Sequence, residues 1–262
     1  MIVIWLQFIY YLPDTIMADS LYLFYPLLFV VAFLYASVGH GGASGYLALM
    51  ALYNFTPEVM KPTALLLNLF VSLVSFLQFY RNKHFVLPIF LPLAVASIPM
   101  SFVGGLMTIE SSIYKKILGL VLVVAVLRLL FLKNVSLTDL KKPNTVLALL
   151  IGGVIGLLSG MIGIGGGIIL SPVLLLLKWT DLKQTAAISA LFIFVNSAAG
   201  LAGQLTKGNP FSREMILLVA VAFAGGLCGA YLGASRFKYG ILKNILAVVL
   251  LLAAYKLLFT YA

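Results

Sequence analysis

Six stretches of this sequence are each about the length of a membrane crossing: Thr63–Tyr80, Pro88–Met107, Tyr114–Phe131, Thr185–Gly203, Ser212–Ala234 and Leu242–Thr260. They carry their few charges near their ends. A helix crosses a bilayer core with about 20 apolar residues, so a chain built from such segments folds in lipid. The charge supply agrees. Only 9% of the 262 residues are charged and 63% are hydrophobic, against roughly 25% charged in a soluble domain. That excludes a water-soluble globule, and the same hydrophobicity excludes a disordered chain. The net charge of +10 has a membrane explanation, because Lys and Arg gather in cytoplasmic loops; no nucleic-acid partner is expected. The single cysteine, Cys228, forms no intramolecular disulfide, and its neighbours Gly225, Gly226 and Gly229 place it on a packing face. Residues Met1–Leu12 lack a basic start and a cleavage site. With Trp5, Tyr10 and Tyr11 they read as part of an interfacial lead-in, residues 1–20, rather than a signal peptide.

Two further apolar stretches are too long for one crossing and are broken by glycines. Leu21–Asn54 is interrupted at Gly39-His40-Gly41-Gly42, and Val146–Leu177 at Gly163-Ile164-Gly165-Gly166-Gly167. The two breaks correspond, and so do the segments around them. Thr63-Ala64, Leu69-Phe70 and Ser75 match Thr185-Ala186, Leu191-Phe192 and Ser197. The final helices of the two halves, 114–131 and 242–259, are identical at half of their positions, including Lys115 and Lys243. The chain is therefore expected to be duplicated, with repeats at 21–132 and 146–262 joined by a cytoplasmic linker at 133–145. If each broken stretch enters the membrane and returns as a hairpin, the 17 basic residues divide eleven to six between the two faces. If it crosses once, they divide almost evenly. The positive-inside rule selects the hairpin. The expected fold is thus an all-α polytopic membrane protein with two inverted repeats, each a glycine-broken re-entrant hairpin plus three transmembrane helices. Both termini are expected outside, and the plasma membrane is the expected location.

Irregular backbone survives at membrane depth where it is buried in protein or lines a cavity. Paired breaks in two halves point to a transporter substrate site. The half-helices that begin near Ser44 and Ile168 would present free N–H groups and the positive end of a helix dipole, which favours an anion. Gly39, Gly41, Gly42, Gly163, Gly165, Gly166 and Gly167 would permit close backbone approach. The side chains expected to take part are His40, Ser44, Asn68, Ser75, Asn196 and Ser197. Each has a plainer role open to it: His40 bonded to backbone in the break, Ser44 capping its half-helix, and the amides and hydroxyls tying helices together.

The run Ser159-Gly160-Met161-Ile162-Gly163-Ile164-Gly165-Gly166-Gly167-Ile168-Ile169-Leu170-Ser171-Pro172, followed by Thr185-Ala186 and by Gly225–Ala234, resembles the signature of the TauE/SafE family of sulfite exporters. The resemblance covers residues 21–260 in both halves. It implies a membrane permease for sulfur-containing anions such as sulfite, thiosulfate or organosulfonates. The first half departs from the pattern: His40 replaces an apolar residue, Ala43-Ser44 stand where the third glycine and Ile168 stand, and Ala48 replaces Pro172.

No P-loop is present, so ATP hydrolysis through one is excluded. No carboxylate lies mid-helix, which leaves no carboxylate proton relay and disfavours the rival reading of a cation permease or channel. A membrane-embedded hydrolase using His40 and Ser44 would need a third orienting group. The expectation is therefore an anion exporter that is not an enzyme and needs no cofactor or metal, with a small anion and the bilayer as its partners. Its positive field is expected from helix ends rather than from basic side chains.

Overall fold

The apolar segments form helices because nothing in them competes for the backbone, and the caps at their ends are local. Asn144 accepts a hydrogen bond from the Leu147 amide at 3.1 Å. Asp181 and Gln184 form a reciprocal capping box. Pro57 starts a helix from its first position, with Glu58 in the first turn and Arg81 in the last, as the helix dipole favours. The computed structural model describes residues 14–37, 42–131, 140–207, 213–236 and 239–259. Among these, all regular structure is α-helix. In the first half the helices are α1 (Asp14–Ser37), α2 (Ala43–Leu52), α3 (Pro57–Arg81), α4 (Leu87–Leu106) and α5 (Ser111–Phe131). The second half follows the same order: α6 (Thr145–Ile162), α7 (Gly167–Leu176), α8 (Leu182–Leu205), α9 (Arg213–Arg236) and α10 (Tyr239–Phe259).

Four of them, α3, α4, α6 and α8, are long and apolar enough to cross a membrane, counted over the described residues. By contrast α2 and α7 have 10 residues each, about 15 Å of helix, half the thickness of a hydrocarbon core. Residues 43–51 of α2 are all buried, so this half-helix is enclosed by protein.

The packing pairs helices across the two halves. α4 lies against α6 and α1 against α9; α3 packs on α8 and α5 on α10; α2 touches α10 and α5 touches α7. Close approach in the α4–α6 pair depends on a glycine row. A methyl added at Gly152, Gly156 or Gly160 would fall on the carbonyl oxygens of Leu93, Ser97 or Ser101. The α1–α9 pair does the same with Gly225 and Gly229 on the Phe29 and Phe33 carbonyls. Lipid gives no hydrophobic drive to helix association, so small residues that let backbones touch supply it through van der Waals contact. Opposite faces carry exposed apolar residues, Leu87, Leu91 and Val95 on α4 and Val146, Leu150 and Val154 on α6. Exposed apolar rows of this kind suit contact with lipid chains.

In each broken stretch the two ends make contact. The Lys141 amide, just before α6, donates to the carbonyl of Lys178, just after α7, at 2.7 Å. In the first half Phe24 of α1 stacks against Tyr53 and Phe55 beyond α2, with ring centroids 5.0 Å apart in each pair.

The glycine row makes a paired prediction. Gly160→Ala should lower the melting temperature in detergent, because the methyl meets backbone and overpacking costs about 1–3 kcal/mol. Gly153→Ala, whose methyl would find its nearest neighbours at 3.9 Å, should leave stability unchanged or raise it by up to about 1 kcal/mol through helix propensity. Thermal unfolding of the two variants checks this.

Candidate functional site

Between α6 and α7 the chain turns within four residues. Gly163 closes α6 at φ 88°, Gly165 follows at φ 73°, and Gly166 opens α7 at φ 78°. These left-handed values suit glycine and strain any residue with a Cβ. Residues 162–168 are all buried. The Gly163 amide reaches back to the Ser159 carbonyl at 2.8 Å, and the amides of Ile169 and Leu170 donate to Gly166. By helix geometry the amides of Gly167 and Ile168 at the start of α7 have no acceptor within their own helix. Ser171 Oγ donates to the Gly167 carbonyl at 2.7 Å and shares a hydrogen bond with Ser189 of α8 at 2.9 Å, anchoring the first turn of α7.

The walls around this turn come from α3 and α8. A Cβ at Gly165 would lie 2.7 Å from Ile193 Cγ2, 2.9 Å from Asn68 Nδ2 and 3.0 Å from Ser197 Oγ. Two of the side chains expected from the sequence therefore meet at one glycine of the break. Asn68 and Ser197 are both buried, and neither the Asn68 amide nor the Ser197 hydroxyl has a hydrogen-bond partner. An orphaned buried polar group costs about 1–3 kcal/mol and calls for an explanation such as a ligand. Asn196 is more occupied. Its Nδ2 donates to the Phe192 carbonyl at 2.8 Å, its own carbonyl accepts from Ser101 Oγ at 2.7 Å, and its Oδ1 is unpartnered. Thr63 Oγ1 and Ser159 Oγ are likewise buried without partners. No sequence argument singled those two out.

Ser75 is half-buried and stands seven residues from Asn68, about 10 Å along α3 at 1.5 Å per residue. Ser72 Oγ donates to the Asn68 carbonyl within the helix. In the first half, Gly39, His40 and Gly41 lie outside the described residues. Gly42 precedes α2 without a side-chain cap, so Ser44 does not cap its half-helix; Ser44 Oγ instead shares a hydrogen bond of 2.7 Å with Tyr35 OH. A methyl at Gly42 would meet the phenol end of Tyr46, whose buried hydroxyl has no partner.

Sequence reasoning also passed over Lys61. Its backbone underlies the break: a Cβ at Gly163 would sit 3.0 Å from both Cα and the carbonyl oxygen of Lys61. The signal was available in the match of Lys61-Pro62-Thr63-Ala64 to Lys183-Gln184-Thr185-Ala186. At the same end of the bundle, Lys207 Nζ donates to Thr108 Oγ1 at 3.1 Å, and partial burial holds the Lys207 ammonium below its ordinary pKa. Among the described residues no group of His, Cys, Asp and Glu could hold a metal ion.

The turn with its orphaned polar walls sits in a stretch that a family model also matches, the one described as Sulfite exporter TauE/SafE, over residues 24–257. The chain belongs to the TauE/SafE family. Among curated relatives of this TauE/SafE protein is the probable membrane transporter protein y4hK of Sinorhizobium fredii. It is 38% identical over 234 residues, covering 88% of this chain and 95% of its own. The probable membrane transporter protein MJ0441 of Methanocaldococcus jannaschii is 27% identical over 197 residues, 70% of this chain and 73% of its own. The probable membrane transporter protein YunE of Bacillus subtilis is 26% identical over 226 residues, 79% and 82% of the two chains. No solved structure matches the chain significantly. This TauE/SafE chain is an integral membrane protein of a transporter family.

Asn68 offers a test of what its orphaned amide is for. Asn68→Leu keeps the branched shape of the side chain and removes two unsatisfied polar atoms, so the folded protein should be as stable as the parent or about 1 kcal/mol more so, while transport falls sharply. A loss of thermal stability instead would mean that the amide serves packing.

Proposed function

We propose that this protein is a permease that exports small sulfur-containing anions, sulfite, thiosulfate or organosulfonates, through a site between two glycine-broken hairpins. The observation that carries the reading is the convergence of Asn68 and Ser197, both unpartnered, on Gly165 beside the amino end of α7. Amide and hydroxyl donors together with unbonded backbone N–H groups suit an oxyanion. The carboxylates that a cation path would use are missing from the middle of the membrane segments of the sequence. In this reading Gly39, His40, Gly41, Gly42 and Ser44 of the first break complete the site from the other half, with Gly163, Gly165, Gly166, Gly167, Asn68, Asn196 and Ser197 on the second side and Ser75 further along α3.

The topology belongs to the same proposal: two inverted repeats, 21–132 and 146–262, joined at 133–145, in the plasma membrane with both termini outside. Two features support it. The ends of each broken stretch meet, through Lys141 with Lys178 and through Phe24 with Tyr53 and Phe55. The main helix pairs also exchange when the halves are swapped, α4–α6 with α1–α9 and α2–α10 with α5–α7. Export needs no further energy source, because 100 mV with the inside negative drives a unit anion outward by about 2.3 kcal/mol.

Two measurements test the proposal. Purified protein in liposomes should move sulfite, thiosulfate or methanesulfonate saturably under an imposed voltage. Gly165→Val should insert normally and lose flux by about 100-fold or more, as a 1 Å misplacement at a site can cost. Absence of flux for the whole panel would end the sulfur-anion reading. For topology, single cysteines at Lys83 and Lys178 in a Cys228→Ala background should react with an impermeant thiol reagent from the same side, and one at Lys207 from the other. Labelling of Lys83 and Lys178 from opposite sides would replace the hairpin with a single crossing.

A further inference from the structure

Lys61 is a cation placed where the membrane-buried break begins. It is 5% exposed, its backbone supports Gly163, and its ammonium stands 4.9 Å above the centre of the Tyr114 ring. That ring is itself tied to the break, since the buried Tyr114 hydroxyl donates to the carbonyl of Ile162, the last residue of α6, at 2.9 Å. The charged groups that bear on Lys61 are Lys207, a like charge, and Glu58, one turn earlier on α3. Among the described residues no carboxylate lies within ion-pair distance of Lys61.

Glu58 attracts this ammonium from one turn away without pairing with it and Lys207 repels it, so the charge is only partly compensated. Taking an ammonium out of water is costly unless an anion compensates it, and a single aromatic face compensates only partly. The like charge on Lys207 increases the deficit. A small anion arriving at this end would correct it. The helix also sets out a route from that point. Lys61, Asn68 and Ser75 are seven residues apart in succession, two turns each, so they share one face of α3 at intervals of about 10 Å. The backbone of the first lies against Gly163, and the side-chain amide of the second reaches Gly165. Independently of Lys61, the buried hydroxyls of Thr63 and Ser159 near the same end have no partners.

We propose that Lys61 is a binding residue for the transported anion, a cationic station at the mouth of the break from which the anion passes to Asn68 and the Gly165 turn. The inference rests on the permease reading. It gives that site a positive side chain at its mouth in addition to its helix end. Lys183, the matching residue of the second half, is exposed and serves as the comparison.

The test uses the full-length purified protein, with thiosulfate binding read by calorimetry in detergent and thiosulfate flux read in liposomes. Lys61→Met should weaken thiosulfate binding and raise the KM for flux by about 10- to 100-fold, as loss of a charge-assisted contact does. Lys61→Arg should recover part of the loss, and Lys183→Met should bind like the parent. Lys61→Gln takes the place of Lys61→Met if the latter does not elute as a single species. A folded neutral variant with unchanged affinity and KM would overturn the role of Lys61 while leaving the permease reading intact. A parent protein that neither binds nor moves thiosulfate, sulfite or methanesulfonate would overturn both.

Discussion

Everything in this structure depends on one constraint: a peptide group at membrane depth must find a partner without help from water. The turn at residues 163–166 violates helical bonding over a full turn, and each stranded group would cost several kcal/mol in lipid. The protein meets the constraint by enclosure. Tyr114 hydrogen-bonds the carbonyl that ends α6, the Gly163 amide returns to Ser159, and α3 and α8 close over the rest. The glycine row of α6 lets α4 approach within backbone contact, which packs the helix leading into the turn against its neighbour.

Enclosure and recognition are two uses of the same geometry. A turn buried in protein, with helix amides left over, is surrounded by a low dielectric in which a dipole or a hydrogen bond counts for more than in water. In the proposed permease, Asn68 and Ser197, unpartnered at about 1–3 kcal/mol for each orphaned group, would gain hydrogen bonds to a bound anion. The wall that holds the turn therefore also brings unpartnered polar groups to Gly165. On the proposed reading, a neutral donor set of this kind attracts an anion without trapping it, which suits a permease that must release what it binds. Lys61 adds charge at the mouth rather than at the centre.

How much of this was legible beforehand varies with the kind of information. The six long apolar segments were legible to within a few residues because their signal is local and redundant: Pro88–Met107 appears as Leu87–Leu106, and Thr185–Gly203 as the core of Leu182–Leu205. The second break was equally plain, since three left-handed residues in four leave glycine as the natural occupant. Asn68 and Ser197 could be nominated as polar residues in apolar helices, but their meeting at Gly165 depends on how α3 and α8 cross. Ser75 was nominated by the same spacing and lies two turns away from that meeting point. Lys61 was passed over because a lysine near a helix start usually marks the interface. Its backbone lies against Gly163 of the other half and its ammonium over the Tyr114 ring, contacts that only the folded chain makes.

Sequence alone determined the medium, the class of secondary structure, and where helices had to stop, because hydropathy and the conformational range of glycine act over a few neighbouring residues. Tertiary structure decided which polar groups remain without partners, which glycines touch backbone, and that a first-half helix supplies Lys61 and Asn68 to the second-half turn. Those outcomes depend on contacts between segments about a hundred residues apart in the chain. Local propensity carries no record of such contacts.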